Sequence, residues 1–355
     1  MKNLVRILAW TLIALVIQHS IFLYIENFYL DSDVKIQAEK VEEKEPPKKA
    51  NPNEINIKDG IDQISVSSDG RFVAYYENNK LKVFDSIDNS EKEFQSEENG
   101  EVAFYKWLTN ENSIIVIQKV QTNNGAYYEP VSFNAKKGET RELADFNLNE
   151  LKINITNKND KVDDVVFSTA THTLYIKIKK GNGKSDLYYA NIMNQLEKVR
   201  ANKDIGDIVV PTTSTNAVME MGNGVTILNS ADNIEIPKVQ TIRILGSDIN
   251  DNVYFGEEVN GKIAKVYYTT LSNGKHQWNS LILPKPVDKA DIIIDYSGKV
   301  YVNDKTANSV LELLTKKTIK YEGQLLQSYS KGIISKNDNK LIKIEIDQNK
   351  ISTNK

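Results

Sequence analysis

From residue 55 onward, apolar side chains recur at every second position in short runs, and clusters of Asp, Asn, Ser and Gly separate the runs. The stretch 65–94, SVSSDGRFVAYYENNKLKVFDSIDNSEKEF, shows the pattern most clearly. Ile64 and Val66 alternate with polar neighbours, Ser68-Asp69-Gly70 turns the chain, and Phe72 to Tyr76 forms a second strand. Asn78-Asn79 turns it again into Leu81 to Phe84, and Asn89-Ser90 leads to a short fourth strand near Glu93-Phe94. Aspartate and asparagine suit such turns because they hydrogen-bond nearby backbone, and glycine accepts positive φ. A four-stranded meander of this kind must cover at least one face with a neighbour.

Comparable units follow, with turn centres near 69, 111, 170, 215, 251, 297 and 338. Their spacing is about 45 residues, the range of radially repeated four-stranded sheets. The second unit carries an insertion: Ser113 to Gln118 is separated from Tyr127 to Phe133 by a longer polar connection containing Gln121 to Gly125. The last unit lacks one strand, and Asn53-Glu54-Ile55-Asn56-Ile57, with isoleucines at period two, can supply it from the other end of the domain. The pattern predicts an all-β fold, a β-propeller of seven four-stranded blades, over 55–355. Six or eight blades are the neighbouring counts, and a non-repetitive β-sandwich is the competing architecture.

The N-terminus departs from this pattern. Lys2 and Arg6 precede an apolar run from Ile7 to Ile25, and its nineteen residues span about 28 Å as a helix, close to a bilayer core. Trp10, Tyr24 and Tyr29 lie near its ends, and Glu26, Asp31 and Asp33 follow it. The charge order predicts a cytoplasmic N-terminus (1–6), a transmembrane signal-anchor helix (7–25), and an extracytoplasmic remainder in a single-pass cell-membrane protein. Cleavage as a signal peptide is the alternative, but no small-x-small site follows the run. Residues 26–54 form a charged, proline-containing linker of mixed sign, which reads as a spacer and not as a polybasic lipid clamp.

Composition narrows the chemistry. The chain has 355 residues, 45 basic against 48 acidic side chains, and a formal net charge of -3. The basic residues are dispersed, so no nucleic-acid partner is expected. The sequence contains no cysteine, which removes disulfides and thiolate chemistry. The three histidines, His19, His172 and His276, lie in separate segments and have no metal-ligand spacing.

Asp69, Asp163, Asp164, Asp251 and Asp304 raise the question of calcium, but there is no D-x-[DN]-x-[DN]-G loop. Asx turns account for them, and a calcium site would have to draw carboxylates from several blades. Gly181-Asn182-Gly183-Lys184-Ser185 resembles the end of a phosphate loop but sits between strands, and reads as a hairpin turn. The pairs Tyr75-Tyr76, Tyr127-Tyr128, Tyr188-Tyr189 and Tyr267-Tyr268 lie on or beside strands, where packing between blades is the simplest role. The alternative is an aromatic platform. Tyr127, Tyr128, Lys262 and Lys265 are therefore the candidate partner-binding residues. No catalytic residue, metal ligand or cofactor-binding residue is assigned, and no cofactor is expected.

The segment Ser68-Asp69-Gly70-Arg71-Phe72-Val73-Ala74-Tyr75, with Val83-Phe84, resembles the WD40-like β-propeller repeats of the translocation protein TolB and of dipeptidyl-peptidase IV-like propellers. Ser68 stands where those repeats usually carry proline, and Asp295 to Val300 is a partial second match. The resemblance implies a propeller and a role in a cell-envelope complex. The peptidase activity of some relatives is not carried over, because the Gly-x-Ser-x-Gly elbow is absent. The expectation is a membrane-anchored, extracytoplasmic propeller that binds a cell-envelope protein, peptide or glycan. A carboxylate-dependent glycan hydrolase or lyase, and a structural scaffold of a membrane complex, are the alternatives.

Overall fold

A computed structural model describes residues 10–12, 14–20, 53–96, 98–109, 111–144, 149–191, 193, 195–230, 233–271 and 277–346. The chain divides into two units, Met1–Ala50 and Asn51–Lys355. In the first, residues 10–12 and 14–20 are helical, with Trp10, Leu12, Leu15, Val16 and Ile17 exposed. Among the described residues, no helix is long and apolar enough to cross a membrane. The remainder of the predicted anchor, the linker up to residue 52 and His276 lie outside the described residues.

The second unit consists of seven antiparallel sheets. In chain order they span 62–93 (blade 1), 101–155 (blade 2), 161–203 (blade 3), 205–227 (blade 4), 242–287 (blade 5), 292–320 (blade 6) and 324–345 (blade 7). The first strand of each blade lies innermost, and first strands touch between blades 1 and 2, 2 and 3, 4 and 5, 5 and 6, 6 and 7, and 7 and 1. The expected all-β, seven-bladed propeller is the observed architecture.

Period two has a specific meaning in this ring. Along the second strand of blade 1, Phe72–Glu77, Phe72 and Ala74 pack toward blade 2 with Ile114, Val116 and Phe133. Val73 and Tyr75 point the other way, toward blade 7, with Ile334 and Leu341. Blade 2 repeats the division, since Ile115 and Ile117 face blade 3 with Leu174 and Ile176. Seven apolar clusters result, one at each interface between neighbouring blades. A strand covered on both faces reads as a nearly continuous apolar run, which is why FVAYYE and SIIVIQ are so conspicuous.

The ring closes through the predicted N-terminal strand. Glu54–Asn56 pairs antiparallel with Lys340–Glu345, in the register Glu54 with Ile342, Ile55 with Leu341 and Asn56 with Lys340. Ile55 is buried between blades 7 and 1, and Ile57 N–H donates to Asn339 O at 2.8 Å. A second latch lies nearer the axis. The Gln327 amide accepts from Val66 N–H at 3.0 Å and donates to Val66 O at 2.8 Å, so one side chain of blade 7 mimics a strand partner for blade 1.

Three sequence expectations need correction. The polar connection after Gln118 is not a loop, because strands Ser113–Thr122 and Gly125–Asn134 run on to a tight hairpin. Val120 pairs with Tyr127 there and is buried, and a fifth strand, Ile153–Ile155, covers residues 126–128. The seventh turn centre is also displaced. The hairpin near 338 joins the second and third strands of blade 7, and the turn equivalent to Asp69-Gly70 lies between Tyr329 and Gly332. Blade 4 has three strands where four were expected. Among the described residues, an isolated bridge between Thr226 and Asn233 extends it.

Blade 1 also carries a charged network on its outer part. Lys58 Nζ lies 2.7 Å and Lys82 Nζ 3.0 Å from Glu91, and the Tyr75 hydroxyl donates to the same carboxylate. Burial opposes ionisation of Glu91, but hydrogen bonds from Lys58, Tyr75 and Lys82 outweigh it and hold its carboxyl down at about 2. A carboxyl with a depressed folded pKa contributes stability above its unfolded pKa and loses it as pH falls through the folded value. Thermal stability should therefore fall between about pH 4.5 and 2. Glu91→Gln should flatten that part of the profile in denaturation scans at stepped pH. An unchanged acid limb would count against the network.

Candidate binding site at the mouth of the central channel

First and second strands of each blade are joined at one end of the ring, and these hairpins surround the axis. Their turn residues determine the local geometry. In blade 1, Asp69 accepts from Arg71 N–H at 2.9 Å and from Ser67 Oγ at 2.5 Å. Gly70 follows at φ +75°, and a Cβ there would come within 2.9 Å of the Tyr329 ring of blade 7. Glycine is required both by the left-handed backbone and by that close approach.

The hairpins are tied to one another. Ser168 Oγ donates to Thr212 O at 2.6 Å, and Thr212 Oγ1 donates to Asp248 O at 3.2 Å. Ile249 N–H donates to Tyr296 O at 2.9 Å, and Ser330 N–H donates to Ser68 O at 2.8 Å. Blades 3 to 6 and the pair 7 and 1 are thus linked at the rim by hydrogen bonds independent of the apolar interfaces.

Within this rim lie two adjoining recesses, of about 200 and 250 Å³. Trp107, Leu108, Thr109 and Tyr296 line both. Phe167, Ser168 and Thr212 complete the first, and Ser68, Gln327 and Ser330 the second. Trp107, Phe167 and Tyr296 are half-buried, so the mouth presents aromatic edges among hydroxyls. The buried indole Nε1–H of Trp107 has no acceptor among the described residues.

The acids at the mouth are occupied. Asp248 Oδ1 accepts from the backbone N–H groups of Asn250 and Asn252 at 2.9 and 3.0 Å, and its Oδ2 accepts from Asn252 Nδ2 and Tyr254 OH, both at 2.8 Å. These four bonds use the acceptor capacity of a carboxylate. Burial, reinforced by the bond to Asp248, pushes the Tyr254 hydroxyl far above its ordinary pKa and keeps it a neutral donor. Asp295 Oδ1 accepts from Ser297 Oγ at 2.7 Å and Lys299 N–H at 2.9 Å. This chemistry holds turns in shape, while the aromatic and hydroxyl surface remains for contact.

The candidate residues from the sequence lie elsewhere and are not brought together. Tyr127 and Tyr128 belong to blade 2, Lys262 and Lys265 to blade 5. Both tyrosines are buried, at 9% and 4% exposure, consistent with packing. The Tyr127 hydroxyl donates to Glu98, Lys152 Nζ sits 4.6 Å from its ring centroid, and Tyr128 OH donates to Asp160 O at 2.8 Å. Lys262 is exposed, and Lys265 Nζ lies 4.6 Å from the Tyr267 ring centroid. His172 is an exposed turn residue at φ +52°, and 180–184 is a hairpin turn closed by Lys180 N–H to Lys184 O at 2.7 Å.

The aspartates considered for calcium are spread over blades 1, 3, 5 and 6, and each has its own partner. Asp163 pairs with Lys177 at 2.8 Å and Asp164 with Lys106 at 3.0 Å. Asp251 accepts from Thr213 N–H at 2.8 Å, and Asp304 from Thr306 N–H at 3.1 Å. The mouth residues escaped sequence reading because each stands alone in its repeat. Only the turns at Ser68-Asp69-Gly70 and Asp295-Tyr296-Ser297 carried a signal, as a full and a partial repeat match.

The fold places the chain in the class of seven-bladed β-propellers. No family model matches it, and no curated protein matches it in sequence. Solved structures do match. The β-propeller domain of Cps50 (Swd1) from Myceliophteria thermophila aligns with a TM-score of 0.50 at 7% identity, over 81% of this chain and 97% of that one. A chain of the mitotic checkpoint complex aligns at 0.49 and 11% identity, over 89% and 100%. The acylaminoacyl peptidase of Pyrococcus horikoshii aligns at 0.40 and 11%, over 69% and 43%. At such identities the likeness is one of fold.

Proposed function

We propose that this protein is a membrane-anchored, extracytoplasmic propeller whose channel mouth binds a protein or peptide segment in the cell envelope. The carrying observation is the pair of adjoining recesses, with Trp107, Phe167 and Tyr296 exposing aromatic edges among hydroxyls on a rim held by inter-blade hydrogen bonds. Aromatic side chains supply large contact area at low entropic cost, and a pre-ordered rim loses little freedom on binding. The recesses are sized for a side chain or loop tip, which fits a segment projecting from a larger partner. The TolB-like resemblance of residues 68–84 gives the same direction by analogy of repeat only.

A glycan hydrolase or lyase of the carboxylate type has less support here, because Asp248 is saturated by its turn and Asp295 is engaged in its own. The test is crosslinking and co-purification from intact membranes. Wild type should retain a reproducible partner, and Tyr296→Ala and Thr109→Trp, at half-buried and exposed positions, should each reduce its recovery at least about tenfold, as for an interface anchor. Undiminished recovery with both variants would remove the mouth as the site.

The anchor and orientation rest on Lys2, Arg6 and the run Ile7 to Ile25. The chain contains no cysteine, so single cysteines report topology cleanly. Ile87→Cys, at a position 69% exposed on blade 1, should react with a membrane-impermeant maleimide in intact cells. Lys2→Cys should react only after lysis. The reverse pattern would invert the orientation.

A further inference from the structure

Blade 2 holds a group of acids that the mouth does not use. Its third strand, Gly125–Asn134, is bordered on the outer side by two short strands in succession. Glu139–Glu142 pairs with 131–134, and Ile153–Ile155 pairs with 126–128. Glu129 falls in the gap between them. Glu142 ends one bordering strand, and Glu150 returns the chain through a bridge with Ala144. Carboxylate oxygens of Glu129, Glu142 and Glu150 all lie within 4.8 Å of one another.

The buried member marks this as more than a crowded surface. Glu129 is fully buried, and Gln118 Nε2 donates to its Oε2 at 2.8 Å. Its Oε1 is also buried and has no hydrogen-bond partner among the described residues. An ionised carboxylate in that position needs a counter-ion or a proton. The nearby ammonium of Lys152 is taken up by ion pairs with Glu150 at 2.5 Å and Glu98 at 3.7 Å.

We infer that Glu129, Glu142 and Glu150 form a divalent-cation site suited to calcium, built within blade 2. Calcium takes oxygen ligands at about 2.3–2.6 Å in flexible geometry, so three carboxylate oxygens gathered within 4.8 Å of one another can share one ion. Magnesium, at about 2.0–2.1 Å, demands a strict octahedron and gives up its waters reluctantly, so an all-carboxylate set fixed on the protein suits it less well. The ion supplies the missing partner of Glu129 Oε1 and pins the two short bordering strands to the third strand. The site draws on one blade and on none of the aspartates that the sequence reading assigned to Asx turns, and it does not depend on what the mouth binds.

The probe is calcium chloride titrated by calorimetry into the full chain after chelation, with magnesium chloride as comparison. One calcium per chain is expected, with at least about tenfold weaker binding of magnesium. A tenfold excess over the dissociation constant should raise the thermal midpoint by about 2 °C. Glu129→Gln, nearly isosteric, should abolish binding. Glu142→Gln, at the less buried outer strand, should weaken it at least about tenfold and serves if the buried variant folds poorly. No saturable calcium binding, or binding unchanged in Glu142→Gln and in folded Glu129→Gln, would overturn the inference.

Discussion

The structure depends on the sharing of each blade's central strands between two neighbours. Phe72 and Ala74 belong to one interface, Val73 and Tyr75 to the next, and no blade completes a core alone. Burial of a large apolar side chain contributes about 1.5–3 kcal/mol, so a blade lacking one neighbour would leave a row of such groups in water. A linear array would therefore have two costly ends, which the ring removes. Closure then falls to the interface between blades 7 and 1, where strand Glu54–Asn56 and the Gln327 latch act together.

The mouth follows from the same construction. A ring of hairpins brings turn residues from all blades to one face, whatever their separation in sequence. Asp248 and Asp295 hold their turns, and cross-blade bonds from Ser168, Thr212, Ile249 and Ser330 hold the turns to each other. What remains free to contact a partner is the aromatic and hydroxyl surface around Trp107 and Tyr296. The opposite end shows how a thin blade is supported. Glu220 of three-stranded blade 4 accepts from Ile244 N–H of blade 5 and from Lys289, each at 2.8 Å. Lys289 also pairs with Asp207 at 2.7 Å.

Much of the fold was legible because strands buried on both faces leave a strong apolar signal. Phe72 to Tyr76, Ser113 to Gln118 and Val253 to Phe255 stand out for that reason. The fourth strands were harder to see. Leu196–Lys203, read as LEKVRANK, is mostly exposed at the outer edge, so little in its sequence had to be apolar. The closing strand was legible through Ile55 and Ile57, whose alternation lay next to a blade one strand short. The candidate binding regions were not. Trp107, Tyr296 and Thr212 become neighbours only through the ring, and Glu129, Glu142 and Glu150 meet only because two short strands share one border. Tyrosine pairs were conspicuous in sequence for the opposite reason, since Tyr75 and Tyr127 are core side chains with hydroxyls bonded to acids.

Ring closure by the N-terminal strand can be measured in one covalent step. Glu54 and Ile342 are directly paired across the closing strands, and the chain contains no cysteine. The double variant Glu54→Cys with Ile342→Cys should oxidise to an intramolecular disulfide in the folded protein, seen as a faster-migrating monomer that reverts on reduction. Absence of that species, or cross-links only between chains, would contradict a ring in which every blade is covered on both faces.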